Sequence, residues 1–218
     1  MRTLNFGRTS PAPRRLLCLG AHSDDIEIGC GGAIMNLLTQ YPDLGVYWVV
    51  FSAGPKRDEE ARRSAALFLK RARRPTVVVV ESFRDGFFPV MAEQIKEFFE
   101  ELKAHFSPDL IFTHYRHDLH QDHRTICELT WNTFRNHLVL EYEIPKYDGD
   151  LGSPNVFFPL ERKVREQKVR NILGSFKSQR GKQWFTRETF LALMRLRGVE
   201  CNAPHGAAEA FYGRKLVF

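Results

Sequence analysis

RLLCLGAHSDDIE, residues 15–27, places a short apolar run directly before a polar segment that begins at His22. The apolar part, Arg15 to Gly20, has the length and composition of a buried strand. Beyond the polar segment, apolar residues recur at helical spacing over residues 34–38. This stretch therefore predicts a strand, a loop and a helix in succession.

The same alternation continues along the chain. Strands are predicted over residues 46–51, 76–80, 109–113, 138–142 and 211–218, and helices over residues 57–73, 92–106, 125–136, 162–177 and 186–197. Alternating strands and helices favour parallel pairing, and strands that are apolar on both faces indicate a sheet covered on both sides. We predict a Rossmann-like three-layer α/β/α sandwich with a mostly parallel sheet. Residues 144–159, rich in Pro and Gly, predict a long ordered loop.

Length and composition set limits on the class of protein. A chain of 218 residues suits one α/β domain, which we place over residues 15–218, after a flexible leader over residues 1–14. No apolar run is long enough to span a membrane and no secretory signal is visible, so we expect a cytoplasmic protein without an integral membrane segment. The four cysteines lie far apart, which does not favour a disulfide framework or a Cys-rich structural zinc site.

The chain carries a net charge of +6. That charge fits nucleic acid and equally fits a small phosphate-bearing substrate. The densest basic run, residues 70–74, falls in the last turn of the helix predicted over residues 57–73, where cations meet the negative end of the helix dipole. No aromatic stacking platform accompanies the run, so we predict no nucleic-acid partner. Four cations in or near the candidate site loops suggest a phosphate-bearing sugar, although each also fits a solvated surface charge: Arg84, Arg116, Arg135 and Lys146.

Two clusters of His and Asp follow strands of the predicted sheet. Residues 22–27 follow the first strand, and residues 114–123, which hold half of the eight histidines, follow the fourth. Ligands of an open parallel sheet bind beyond the carboxyl ends of its strands, so these clusters can meet. Each cluster alone also fits a purely structural interpretation, as a helix cap or as solvated surface histidines. Together they predict a catalytic metal site, which needs three His or carboxylate ligands and one open position.

The two clusters also carry a family resemblance. AHSDDIEIGCGG, residues 21–32, resembles the AHPDDE signature of the PIG-L family, also called LmbE-like de-N-acetylases, and LHQDHR, residues 119–124, resembles that family's HPDHR. Weaker matches occur at residues 57–61, 178–179 and 208–211, so the resemblance spans roughly residues 15–213.

The resemblance implies a role for each matching residue. It makes His22, Asp25 and His123 the ligands of a zinc ion, or of another divalent metal, with Asp24 as the general base. His120 would stabilise the oxyanion or protonate the leaving amine, and Asp122 would orient a histidine. A looser motif match makes Arg57 a substrate-binding residue.

The chain departs from the family pattern at several positions. Ser23 and Gln121 replace prolines, which changes loop stiffness rather than the metal ligands. Ile26 takes the usual acidic position and Glu27 lies one residue beyond it, so the pattern gives Glu27 no matching role. Phe176 replaces a histidine of many relatives, which suggests a different substrate wall.

The resemblance further implies a zinc-dependent hydrolase. Its substrate would be a small-molecule amino sugar of the N-acetylglucosamine type, free or linked to phosphate, nucleotide or lipid, from which it removes the N-acetyl group. Relatives often form oligomers, which makes a homo-oligomer an expectation here. Two alternatives stay open at this point, a zinc hydrolase of another amide or ester, and a carbohydrate-binding protein without turnover.

Overall fold

The computed structural model describes residues 12–216, so the predicted leader lies almost wholly outside the described residues. The strands are β1 (Arg15–His22), β2 (Gly45–Ser52), β3 (Val77–Val80), β4 (Leu110–His114), β5 (Leu138–Tyr142), β6 (Val156–Pro159) and β7 (Ala208–Gly213). The α-helices are α1 (Asp25–Gln40), α2 (Pro55–Phe68), α3 (Ala92–His105), α4 (Gln121–Thr133), α5 (Arg162–Ser175) and α6 (Arg187–Glu200).

The seven strands form one sheet in the order β3-β2-β1-β4-β5-β7-β6. The first five strands pair in parallel, and β7 runs antiparallel to both β5 and β6. Side chains from α1, α2, α5 and α6 pack on one face of the sheet, and side chains from α3 and α4 pack on the other. The predicted three-layer α/β/α sandwich with a mostly parallel sheet is therefore confirmed.

Two details of the prediction were wrong. The segment predicted as a loop over residues 144–159 ends in β6, whose Pro159 lies on the edge strand, where a missing N–H breaks no ladder bond. Helix α2 ends at Phe68, so the basic run over residues 70–74 follows the helix instead of forming its last turn. Between residues 12 and 216, no helix combines the length and the apolar character that crossing a bilayer requires.

The middle of α1 is tied to the last strand by a buried carboxylate. Backbone N–H groups of Gly32 and Ala33 both donate to Glu209 of β7, at 2.7 Å each. Lys168 of α5 pairs with the same carboxylate at 2.6 Å and donates to the Ile28 carbonyl oxygen. These bonds satisfy the buried ion pair, which would otherwise be costly. Since a Cβ on Gly32 would lie 2.8 Å from Glu209 Oε1, the contact requires glycine there.

Candidate metal centre

The two His and Asp clusters meet at the carboxyl edge of the sheet, between β1 and β4. His22 is the last residue of β1, and after a turn of two residues Asp25 is the first residue of α1. His123 lies in the first turn of α4, which follows β4. Because β1 and β4 are paired in parallel, both loops leave the sheet at the same edge.

Three predicted ligand atoms form a compact triangle. His22 Nδ1 lies 3.2 Å from His123 Nε2 and 3.3 Å from Asp25 Oδ2, and His123 Nε2 lies 3.5 Å from Asp25 Oδ2. Metal–ligand bonds of 2.0–2.2 Å in tetrahedral geometry separate neighbouring ligand atoms by about 3.4 Å. The triangle therefore has the dimensions of one face of a tetrahedral zinc site, and its donor set of two imidazoles and one carboxylate suits zinc.

The charges of the three groups also suit a cation. Burial, followed by repulsion from His114, lowers the pKa of His123 to about 4, so its imidazole is neutral. Burial would raise the pKa of Asp25, but nearby histidines outweigh it and hold that pKa well below the ordinary value. Burial would lower the pKa of His22, yet the Asp25 charge and the hydrogen bonds that the His22 ring donates to Asp122, Asp25 and Asp85 raise that pKa. A positive charge is therefore stabilised at this point.

Other groups of His and Asp in the same area come close enough to share an ion. One consists of His22, Asp85, His120 and Asp122, and another of His114, Asp118 and His123. In the second, His114 Nε2 already lies 2.9 Å from the Ala21 N–H. In the first, Asp122 accepts from Gly86 N at 2.7 Å and Phe88 N at 3.1 Å. In the triangle, Asp25 Oδ2 likewise accepts from the His22 N–H at 2.6 Å. We take the triangle as the candidate centre because it consists of the three residues that the sequence predicts as ligands.

Asp24 lies beside the triangle but outside it. It is the N-cap residue of α1, and its side chain is buried. Its Oδ1 accepts a 2.6 Å bond from Nη2 of Arg57, in the first turn of α2. Burial raises the pKa of Asp24, while the Arg57 charge opposes that rise. The predicted base and the predicted substrate-binding arginine are thus paired directly.

His120 and Asp122 lie at the start of α4. His120 is its N-cap, and its Nδ1 accepts from the Asp122 N–H at 3.3 Å, which leaves the proton of a neutral ring on Nε2. Burial, and then the nearby His22, lower the pKa of His120. Asp122 Oδ2 lies 3.3 Å from His22 Nε2, so His22 is the histidine that it contacts.

Sequence reasoning missed three residues of the site. Asp118 Oδ2 lies 2.9 Å from His123 Nδ1, and His114 Nε2 lies 3.3 Å from Asp25 Oδ2. Both belong to the histidine-rich cluster, which was the available signal. Asp85 Oδ1 lies 3.1 Å from His22 Nε2 and precedes Gly86, whose φ of 80° suits glycine. The Asp-Gly pair after the third strand marks the same sheet edge. Glu27 is buried away from all three ligand groups.

Asp118 fixes the ring of His123, which gives a first prediction. A carboxylate on the outer nitrogen of a metal-ligating histidine sets its tautomer and orientation. We expect Asp118→Asn to weaken zinc affinity about 10–100-fold without abolishing binding. Competition with a zinc-selective chelating dye measures the change. Unchanged affinity would show that Asp118 does not support the metal, and a complete loss would make it a ligand.

Comparison with known proteins adds to this geometry. The family model PIG-L, described as GlcNAc-PI de-N-acetylase, matches residues 17–134, more than half of the chain. The matched region contains both clusters and stops before β5. Among curated protein sequences, none matches this chain.

Several solved structures share the fold at low identity. A conserved protein from Thermus thermophilus has a TM-score of 0.73 at 19% identity, covering 93% of this chain and 96% of its own. N,N'-diacetylchitobiose deacetylase from Pyrococcus horikoshii has a TM-score of 0.65 at 17% identity, covering 91% of this chain and 83% of its own. For 4-carboxy-2-hydroxymuconate hydratase from Pseudomonas putida the TM-score is 0.70 at 16% identity, and the match covers 94% of this chain and 98% of the hydratase. These likenesses establish the fold, and the match over residues 17–134 establishes that the chain belongs to the PIG-L family of de-N-acetylases.

Proposed function

We propose that the chain is a zinc-dependent hydrolase that removes the N-acetyl group of an N-acetylglucosamine-type amino sugar. The observation that carries the proposal is the triangle of His22, Asp25 and His123 with Asp24 beside it. A protein that only bound a sugar would not require a buried carboxylate next to a three-ligand site with an open position.

The bound metal would supply two effects, a lower pKa for the attacking water and polarisation of the amide carbonyl. Asp24 would accept the proton of that water, because it lies next to the ligand Asp25 and outside the ligand set. Burial raises its pKa toward the range in which a carboxylate is a better base at neutral pH. Its pairing with Arg57 keeps the carboxylate ionised and fixes its orientation.

His120 would donate a hydrogen bond from Nε2 to the oxygen that becomes negative. Its lowered pKa and its Nδ1 contact favour a neutral ring with the proton on Nε2. Of the two roles implied by the resemblance, oxyanion stabilisation is therefore the better supported. One such donor is typically worth about 3 kcal/mol of barrier. Asp122 would hold His22 in position, and the remaining N–H donors of the partly exposed Arg57 would contact the sugar.

The acidic surroundings of the centre bear on the substrate. Lys146 is paired with Asp118 and Asp150, and Arg84 stacks on Phe87 at 3.5 Å. Lys146 is therefore not left as a free cation, and the carboxylates of Asp85 and Asp122 beside His22 would repel an anionic group at the centre. We therefore favour a sugar whose part inside the site is uncharged, whatever group it is linked to.

The test is a substrate panel on zinc-loaded protein. N-acetylglucosamine, N,N'-diacetylchitobiose, a uridine diphosphate-linked N-acetylglucosamine and an N-acetylated peptide would each be assayed for free amine and for acetate. We expect equal amounts of both products from at least one sugar and none from the peptide. Turnover of the peptide alone would favour another amide hydrolase. An unsaturated carboxylic acid would be assayed in parallel, and its hydration without acetate release from any sugar would favour the chemistry of the structurally similar hydratase instead.

A further inference from the structure

The positive charge of the chain is concentrated far from the metal centre. Residues 161–187 contain nine Lys and Arg and two Glu, a net charge of +7, so the remaining residues together carry −1. This segment comprises α5 and the loop that leads to α6. The excess positive charge of the sequence therefore falls within α5 and the segment that follows it.

A groove on that face joins two basic segments that are distant in sequence. It has a volume of about 440 Å³, and its lining residues are Met35, Arg71, Arg162, Lys163, Val164, Glu166, Gln167 and Arg170. Arg71 belongs to the basic run after α2, and the other cations belong to α5. Met35 lies ten residues after Asp25 on α1, which places the groove about 15 Å from the metal centre along that helix. The groove is therefore separate from the metal centre.

The four cations of the groove are not neutralised locally. Within residues 12–216, no salt bridge joins Arg71, Arg162, Lys163 or Arg170 to a carboxylate, whereas Glu166 is paired with Arg187. Arg71 donates to the hydroxyl of Thr39, and Arg170 to the amide oxygen of Gln167. Four exposed like charges that line one groove without a counter-ion repel one another, so an anion would relieve the repulsion.

The shape and lining of the groove narrow the choice of anion. Arginine guanidinium groups match phosphate oxygens in paired hydrogen bonds. The volume falls within the range of small-ligand sites, and a concave surface suits a discrete ligand better than a flat membrane. Its described lining includes no aromatic side chain on which nucleic-acid bases could stack. Because Glu166 is already paired with Arg187, the groove offers four cations to the negative charges of a diphosphate.

We propose that this groove binds the diphosphate group of a small soluble ligand, with Arg71, Arg162, Lys163 and Arg170 around the phosphates. Pyrophosphate is the simplest probe, titrated calorimetrically into the full-length protein. The double variant Arg162→Ala/Arg170→Ala should bind it at least about tenfold more weakly. Lys103→Ala, which removes an exposed lysine of α3 on the opposite layer, should bind it as the unaltered protein does.

A further variant separates the groove from the metal centre, because pyrophosphate also binds metals. Asp25→Ala should keep the pyrophosphate affinity if the groove is the site. Equal binding by the unaltered protein and the double variant would overturn the proposal, as would loss of binding in Asp25→Ala. Single-stranded RNA and anionic vesicles would also be tested as competitors of pyrophosphate. If either one bound much more tightly, the natural ligand of the groove would be a nucleic acid or a membrane, and the proposal of a small soluble ligand would be wrong. None of these readouts depends on deacetylase activity.

Discussion

The Asp24→Asn variant is expected to keep its zinc and to lose turnover by about 10²–10⁴-fold, the contribution of a positioned general base. Asparagine preserves the size of the side chain but cannot take a proton from water. The metal ligands remain, because Asp24 lies outside the triangle of His22, Asp25 and His123. The measurements are acetate release at saturating substrate and zinc content by elemental analysis.

Glu27→Gln is the matched control for that variant. Glu27 is also buried on α1, and burial raises the pKa of its carboxyl group well above the ordinary value, which favours the uncharged form. An amide has nearly the same shape as that carboxyl group, so activity should stay near normal. Similar losses in both variants would mean that any altered carboxyl group at this end of α1 disturbs the site. Near-normal turnover in Asp24→Asn would remove Asp24 from the mechanism.

The second large effect is expected for Asp25→Ala, which should bind zinc more than about a hundredfold less tightly. This loss exceeds the roughly 10–100-fold expected when a residue that only supports a ligand, such as Asp118, is changed. The change removes one corner of the ligand triangle. The readout is thermal unfolding with and without zinc, since a ligand stabilises the native state in proportion to the logarithm of its concentration over its dissociation constant. The unaltered protein should gain stability on adding zinc, and the variant should not.

Asp85→Ala distinguishes between the possible ligand groups. Asp85 also faces His22, but it belongs to the group that contains His120 and Asp122. Asp85 is 74% exposed on its side chain, so its removal disturbs packing little. We expect Asp85→Ala to retain the zinc-dependent stabilisation that Asp25→Ala loses. The reverse pattern would place the metal in the other group.

Much of the fold could be predicted because it depends on local patterns. Apolar runs such as residues 15–20 are strands in both prediction and structure, and the strand–helix alternation indicated parallel pairing. The position of the site followed from the same alternation, since it identified which loops leave one edge of the sheet.

The rest depended on contacts between distant residues, which a single sequence does not display. Strand β6 has a partner, β7, that lies about fifty residues further along the chain, and its own sequence carries two prolines nearby. Asp85 comes from a segment whose only signal is an Asp-Gly pair, and it reaches His22 through the packing of the loop after β3. The pairing of Asp24 with Arg57 likewise joins two motifs that sequence reasoning treated separately.

The carboxylate of Glu209 also affects the order in which the chain can be completed. Gly32 and Ala33 emerge early during synthesis, yet the acceptor for their N–H groups comes from the final strand. A fragment that ended after residue 134 would contain both histidine clusters but would lack Glu209 and Lys168, the buried ion pair that contacts the middle of α1. The middle of α1 is therefore held by its buried partner only once β7 has been synthesised.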